Sequence, residues 1–84
     1  MDIDTVLEEA RARRTLPDPA ARRMIRREAG LTLRDVAGVC GVTVAAASRW
    51  ETGDTNPDRQ HAVVYADLLR RLREEVLSSL GERP

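Results

Sequence analysis

Proline and glycine cut this chain into five pieces, and each piece is patterned as a helix. Ile3, Val6, Leu7 and Ala10 follow the i, i+3, i+4, i+7 rhythm of one helical face. They predict a helix over roughly 3–14, stopped by Pro17. Asp18 and Pro19 then suit an N-cap and a first turn. Ala21, Met24, Ile25 and Ala29 supply the apolar stripe of the second helix, and Gly30 ends it where a left-handed residue is needed. Thr32-Leu33-Arg34-Asp35 reads as a capping box for a third helix carrying Val36, Ala37 and Cys40, with Gly41 as its stop. Thr43 caps a fourth helix from Val44 to Glu51, closed by Gly53. After the loop Asp54-Thr55-Asn56-Pro57, Asp58 caps a last helix with no Gly or Pro before Gly81. Its stripe of Ala62, Tyr65, Ala66, Leu69, Leu72, Val76 and Leu80 is ~30 Å long at the helical rise, more than so small a domain needs to cover its own core. The expected fold is all-α.

Eighty-four residues suit one domain. Trp50 and Tyr65 are the only aromatic residues, so the core must be mainly aliphatic. A chain this short has little stability to spare, and dimerisation is one way to add some. With Cys40 alone no internal disulfide forms, which fits a reducing cytoplasm. No apolar run approaches the ~20 residues of a membrane helix. The start, Met1-Asp2-Ile3-Asp4, is too acidic and polar for a signal peptide. His61 has no Cys or carboxylate constellation around it for a metal. Cys40 has no visible base partner for nucleophilic chemistry, and there is no Gly-rich phosphate loop. The expectation is therefore a cytoplasmic protein that is not an enzyme and uses no cofactor or metal.

The third and fourth helices, each about eight residues long, are joined by Gly41-Val42-Thr43. Two short helices with a three-residue turn containing Gly form the pattern used to read DNA, although a plain helical hairpin has the same spacing. In either case Ala37 permits close approach, Val42 plugs the space between the helices, and Ala47 and Trp50 pack the fourth helix on the core. Val44, Ala45, Ser48 and Arg49 are left on its exposed face. Charge is ambiguous at first sight. Fourteen basic residues, all Arg, balance fourteen acids, whereas phosphate contacts need positive charge. The distribution is uneven, however: residues 1–18 carry −2, residues 19–57 carry +2 and residues 58–84 carry 0.

The wording of the motif adds more. Arg26-x-x-x-Gly30-Leu31-Thr32, then Val36-Ala37, Gly41-Val42-Thr43 and Ser48-Arg49-Trp50-Glu51-x-Gly53-x-x-x-Pro57 resembles the Cro and phage-repressor (XRE) helix-turn-helix family over about residues 20–69. The resemblance implies a five-helix, lambda-repressor-like domain that binds double-stranded DNA as a homodimer on a two-fold operator, with its second motif helix in the major groove. Carried over by position, base reading falls on Thr43, Val44, Ala45, Ser48 and Arg49. Phosphate contact falls on Thr32, Leu33 and Arg34, and on Thr52, Thr55 and Asn56. Arg26 and Glu51 are expected to form a structural ion pair. Two positions depart from the family. Leu33 stands where a Gln is frequent and cannot anchor phosphate with its side chain. Arg22 stands at a position that is frequently apolar, so its helix is expected to be rotated or its apolar stripe shifted to Ala21.

Three segments follow from this reading: 1–17 as N-terminal helix and linker, 18–69 as the DNA-binding domain and 70–84 as a C-terminal helix extension. The ends lie outside the resemblance. Ile3, Val6 and Leu7 are expected to pack with Leu72, Val76 and Leu80, within one chain or across a dimer. Arg70-Arg71-Leu72-Arg73-Glu74-Glu75 reads as a solvated face with the pairs Arg70–Glu74 and Arg71–Glu75. The leading function is a small phage or prokaryotic Cro-like repressor that acts by occupying its operator, with no small-molecule effector. The alternatives are the antitoxin of a toxin–antitoxin pair, and a protein-interaction module that has lost DNA binding.

Overall fold

A computed structural model describes residues 1–81, so the last three residues of the 70–84 segment lie outside the described residues. The described chain is helical, without strands: α1 (Ile3–Thr15), α2 (Pro19–Glu28), α3 (Leu33–Cys40), α4 (Val44–Thr52) and α5 (Arg59–Gly81). The punctuation acts as the sequence suggests. Asp18 Oδ1 accepts from the Ala21 amide at 2.8 Å, with Pro19 opening α2. Thr32 and Asp35 complete a reciprocal capping box at the start of α3. The hydrogen bonds hold the Asp35 carboxyl below its usual carboxylate range. Gly41, at φ 69°, is left-handed and turns the chain from α3 towards α4, a conformation that would cost another residue ~1–2 kcal/mol.

The core forms where α3, α4 and α5 meet. Val36, Ala37, Cys40, Ala47, Trp50, Tyr65 and Leu69 make one buried cluster, and Leu33 and Val42 pack partly buried against it. Trp50 supplies its widest surface. The indole lies 4.8 Å from the Tyr65 ring and 6.2 Å from His61, both tilted. Burial pushes the Cys40 thiol up from its ordinary value. Among the described residues no helix is long and apolar enough to cross a membrane.

Three expectations need correction. α1 does pack against α5, but by a different face. Glu9 and Ala12 are buried, whereas Ile3, Val6 and Leu7 are exposed. On α5, Leu69 is buried, Leu72 and Val76 are half-buried and Leu80 is exposed. Within one chain the proposed end-packing residues are thus not joined as a set, because α1 is rolled away from its apolar side. In α2, Met24 is exposed and Arg22 is buried, for a reason given below. On α5, Arg70 meets Glu74 at 2.9 Å as expected, but Arg71 turns back to Asp67 at 3.1 Å rather than forward to Glu75. Asp67 also takes Arg70, at 2.6 Å, so one carboxylate holds both guanidinium groups in place.

Tyr65 is the only tyrosine and it is 1% exposed. Among the described residues its hydroxyl has no hydrogen-bond partner. Burial, reinforced by the charge of Glu51, pushes its ionisation from 10.0 up to about 12. The folded state therefore holds the phenol proton more tightly than the unfolded chain does. The resulting stability is fully present below pH ~10 and is lost as pH rises from there towards 12, a fall of about 2–3 kcal/mol. Phenolate absorbance should rise with a midpoint near 12 while the helices persist, and earlier than that only together with loss of helical circular dichroism. A midpoint near 10 with the helices intact would contradict this account.

Candidate nucleic-acid interface

α4 is fixed from behind and free in front. Ala47 and Trp50 face the core, and the Glu51 carboxylate lies inside with them. On the outer side Val44, Ala45 and Arg49 are exposed and Ser48 is partly so. Thr43 starts the helix, its hydroxyl oxygen accepting from the Ala46 amide at 3.1 Å. That bond leaves the Thr43 hydroxyl hydrogen available to an acceptor. The five residues expected to read bases thus lie at the N-cap and along the first two turns of α4, four of them exposed and Ser48 partly so. Arg49 is the only one with a charged fork, of the kind that matches the two acceptors on a guanine edge. Val44 and Ala45 offer only apolar contact.

The orientation of α4 is set by two arginines from α2. Arg26 donates from Nε to Glu51 Oε2 at 2.6 Å and from Nη2 to Glu51 Oε1 at 2.9 Å. Its third nitrogen donates to the Leu31 carbonyl at 2.9 Å. One guanidinium thus joins α2, the turn before α3 and the end of α4. The expected ion pair is present in this geometry, with side chains only 12% and 6% exposed. The second arginine carries no mark of this role in the sequence. Arg22 donates from Nε to the Pro17 carbonyl at 2.7 Å, and from Nη1 to the Trp50 carbonyl at 3.0 Å and to Asn56 Oδ1 at 3.4 Å. Carbonyls at a helix end have no intrahelical partner, and a buried guanidinium needs acceptors. Each need meets the other here. Gly53 completes the junction: at φ 84° it closes α4, and a Cβ there would stand 3.4 Å from Pro19 Cγ.

The residues expected to touch phosphate fall into two groups. At the start of α3, Arg34 is exposed. The amides of Leu33 and Arg34 sit in the first turn, which is a favourable place for an anion. The Leu33 side chain packs against the core, so only its backbone can take part. The capping box also puts the Asp35 carboxylate at this helix start, where it opposes an approaching phosphate. After α4, the Thr52 hydroxyl donates to the Arg49 carbonyl at 3.2 Å and the Thr55 amide does so at 3.4 Å. Asn56 gives its side-chain oxygen to Arg22, which leaves its NH2 group to donate outward. Thr52, Thr55 and Asn56 are all exposed, but part of their hydrogen-bonding capacity already serves to close the helix.

A family model described as helix-turn-helix matches residues 23–77, from within α2 into α5 and over more than half of the chain. No curated protein and no solved structure matches it.

Proposed function

Since the chain belongs to the Cro and phage-repressor type of helix-turn-helix family, whose members are DNA-binding transcription regulators rather than enzymes, we propose that it is a small repressor that acts by occupying its operator. In this reading two copies bind a two-fold site, with their α4 helices in successive major grooves ~34 Å apart. Thr43, Val44, Ala45, Ser48 and Arg49 read base edges. Thr32 and Arg34, the Leu33 amide, and Thr52, Thr55 and Asn56 hold the backbone. Bound protein then blocks polymerase by position, without an effector.

The observation that supports this best is the division of α4. Its inner face is locked by Trp50, Ala47 and the Glu51–Arg26 pair, while its outer face offers one arginine among small side chains. That is a surface able to enter a groove without rearranging. Selection of binding sites from random DNA should return a two-fold sequence. Against it, Arg49→Ala should weaken binding by about 1–3 kcal/mol and relax preference at one base pair in each half-site. A uniform loss over all sequences would mean that Arg49 contacts phosphate. Failure of the full chain to enrich any sequence would sink the repressor reading.

A further inference from the structure

We propose that α1 is a self-association helix whose apolar stripe pairs with the same stripe of a second copy of this chain, the two helices running antiparallel about a two-fold axis. α1 precedes residues 23–77 and is outside the region covered by the family match. It rests on α5 through Glu9, 4% exposed, and Ala12, while Ile3 is 73% and Leu7 52% exposed. Both carboxylate oxygens of Glu9 are buried without a hydrogen-bond partner among the described residues. The helix thus turns a carboxylate inward and its apolar side chains outward, the reverse of what burial within one chain favours.

Charge says what covers the stripe. Exposed acids come first along α1 and exposed arginines last: Asp2 and Asp4, then Arg11, Arg13 and Arg14. At 3.6 residues per turn, Asp4 and Arg11 flank the stripe on one side and Arg13 flanks it on the other, with Arg14 at the C-terminal end of the stripe itself. Asp2, the N-cap, lies on the Arg13 side and gives Oδ1 to the Thr5 amide at 2.7 Å. Turned end for end about the midpoint of Leu7 and Ala10, a second α1 brings its Arg11 within ~3 Å, along the axis, of the level of Asp4. Its Arg13 comes equally close to the level of Asp2. A two-fold contact repeats each of these pairs, whereas a parallel pairing would set acids against acids. Among the described residues, Asp4, Arg11 and Arg13 have no ion pair within the chain. Helices ~20 Å long bury well under the ~1,200 Å² of a stable interface. The association is therefore weak, and depends on concentration or on two copies being held side by side.

The helix dipole also favours acids before arginines, so the test must read the pairing itself. The full 84-residue chain, without DNA, is followed by sedimentation from about 10 μM to about 1 mM, a range that brackets weak association. The expected mass rises towards that of a dimer. Leu7→Glu raises the dissociation constant at least about tenfold, because a charge enters the apolar contact. Asp4→Arg and Arg11→Asp each weaken association alone, and an equimolar mixture of these two variants restores it, since every mixed contact then joins opposite charges. Circular dichroism checks that each variant remains helical; if Leu7→Glu does not, the charge pair carries the test. A single-chain mass throughout, a helical Leu7→Glu that associates like the parent, or a mixture that fails to recover overturns the proposal. DNA plays no part in these measurements, so their outcome is separate from that of the operator selection.

Discussion

Glu51→Ala is expected to cost about 3–5 kcal/mol of folding stability, a large share of the ~5–15 kcal/mol typical of a folded domain. The size of the effect comes from what remains behind. Arg26 keeps its bond to the Leu31 carbonyl but loses both bonds to a carboxylate, at 2.6 and 2.9 Å, with its side chain 12% exposed. An arginine cannot discard its proton to escape burial. It must either stay charged without a counterion or drag the end of α2 outward. Glu51→Gln should do less harm, since an amide oxygen still accepts from the fork. Arg26→Met together with Glu51→Leu should recover much of the loss, because the pair's desolvation cost is then removed as well. Denaturant unfolding followed by circular dichroism measures all three. A cost below about 1 kcal/mol for Glu51→Ala, the range of exposed pairs, would show that water reaches Arg26 and that the pair does not hold α4.

Trp50→Ala should be comparably severe, at about 3–5 kcal/mol, and should also weaken DNA binding. Trp50 is 4% exposed and contributes the largest apolar surface of α4 to the core. Its removal leaves Tyr65 without the ring at 4.8 Å and His61 without the one at 6.2 Å. The cavity opens beside the last turn of the helix that carries Arg49, so the remaining fold loses its grip on that helix. Trp50→Phe separates the two contributions: it keeps an aromatic contact with Tyr65 and should lie well above the alanine variant in stability. If Trp50→Ala melted with less than about 1 kcal/mol of loss, the core would have to be held mainly by Val36, Cys40 and Leu69, contrary to the packing described.

These two side chains were legible in the sequence, and it is instructive that their neighbour was not. Trp50 falls on the apolar rhythm of its own helix, and Glu51 belongs to a Ser-Arg-Trp-Glu-x-Gly wording whose partner at Arg26 the family resemblance implies. Helix ends were also readable, because Gly41 and Gly53 mark left-handed positions by residue type alone. Arg22 carries no such mark. Its acceptors belong to Pro17, Trp50 and Asn56, two of them 28 and 34 residues away, and two are backbone carbonyls that any residue would supply. The covered face of α1 is hidden from the sequence for a related reason. Periodicity shows which side of a helix is apolar, but not which side its own chain covers. The residues expected to contact phosphate lie between these cases: Thr52 and Asn56 are exposed, yet their bonds to Arg49 and Arg22 appear only when the chain is folded.

The two guanidinium groups behind α4 have a thermodynamic corollary for recognition. Folding has already met the cost of ordering the last turn of α4, through the bonds of Arg22 to the Trp50 carbonyl and of Arg26 to Glu51. In the proposed binding mode DNA meets a preorganised helix, and little of the contact energy is diverted into loss of backbone entropy. The heat-capacity change on binding then reflects surface buried between protein and groove rather than coupled folding. If α4 reads DNA as proposed, affinity differences among binding sites measure the few side chains on its outer face, with no contribution from the ease of shaping the helix that presents them.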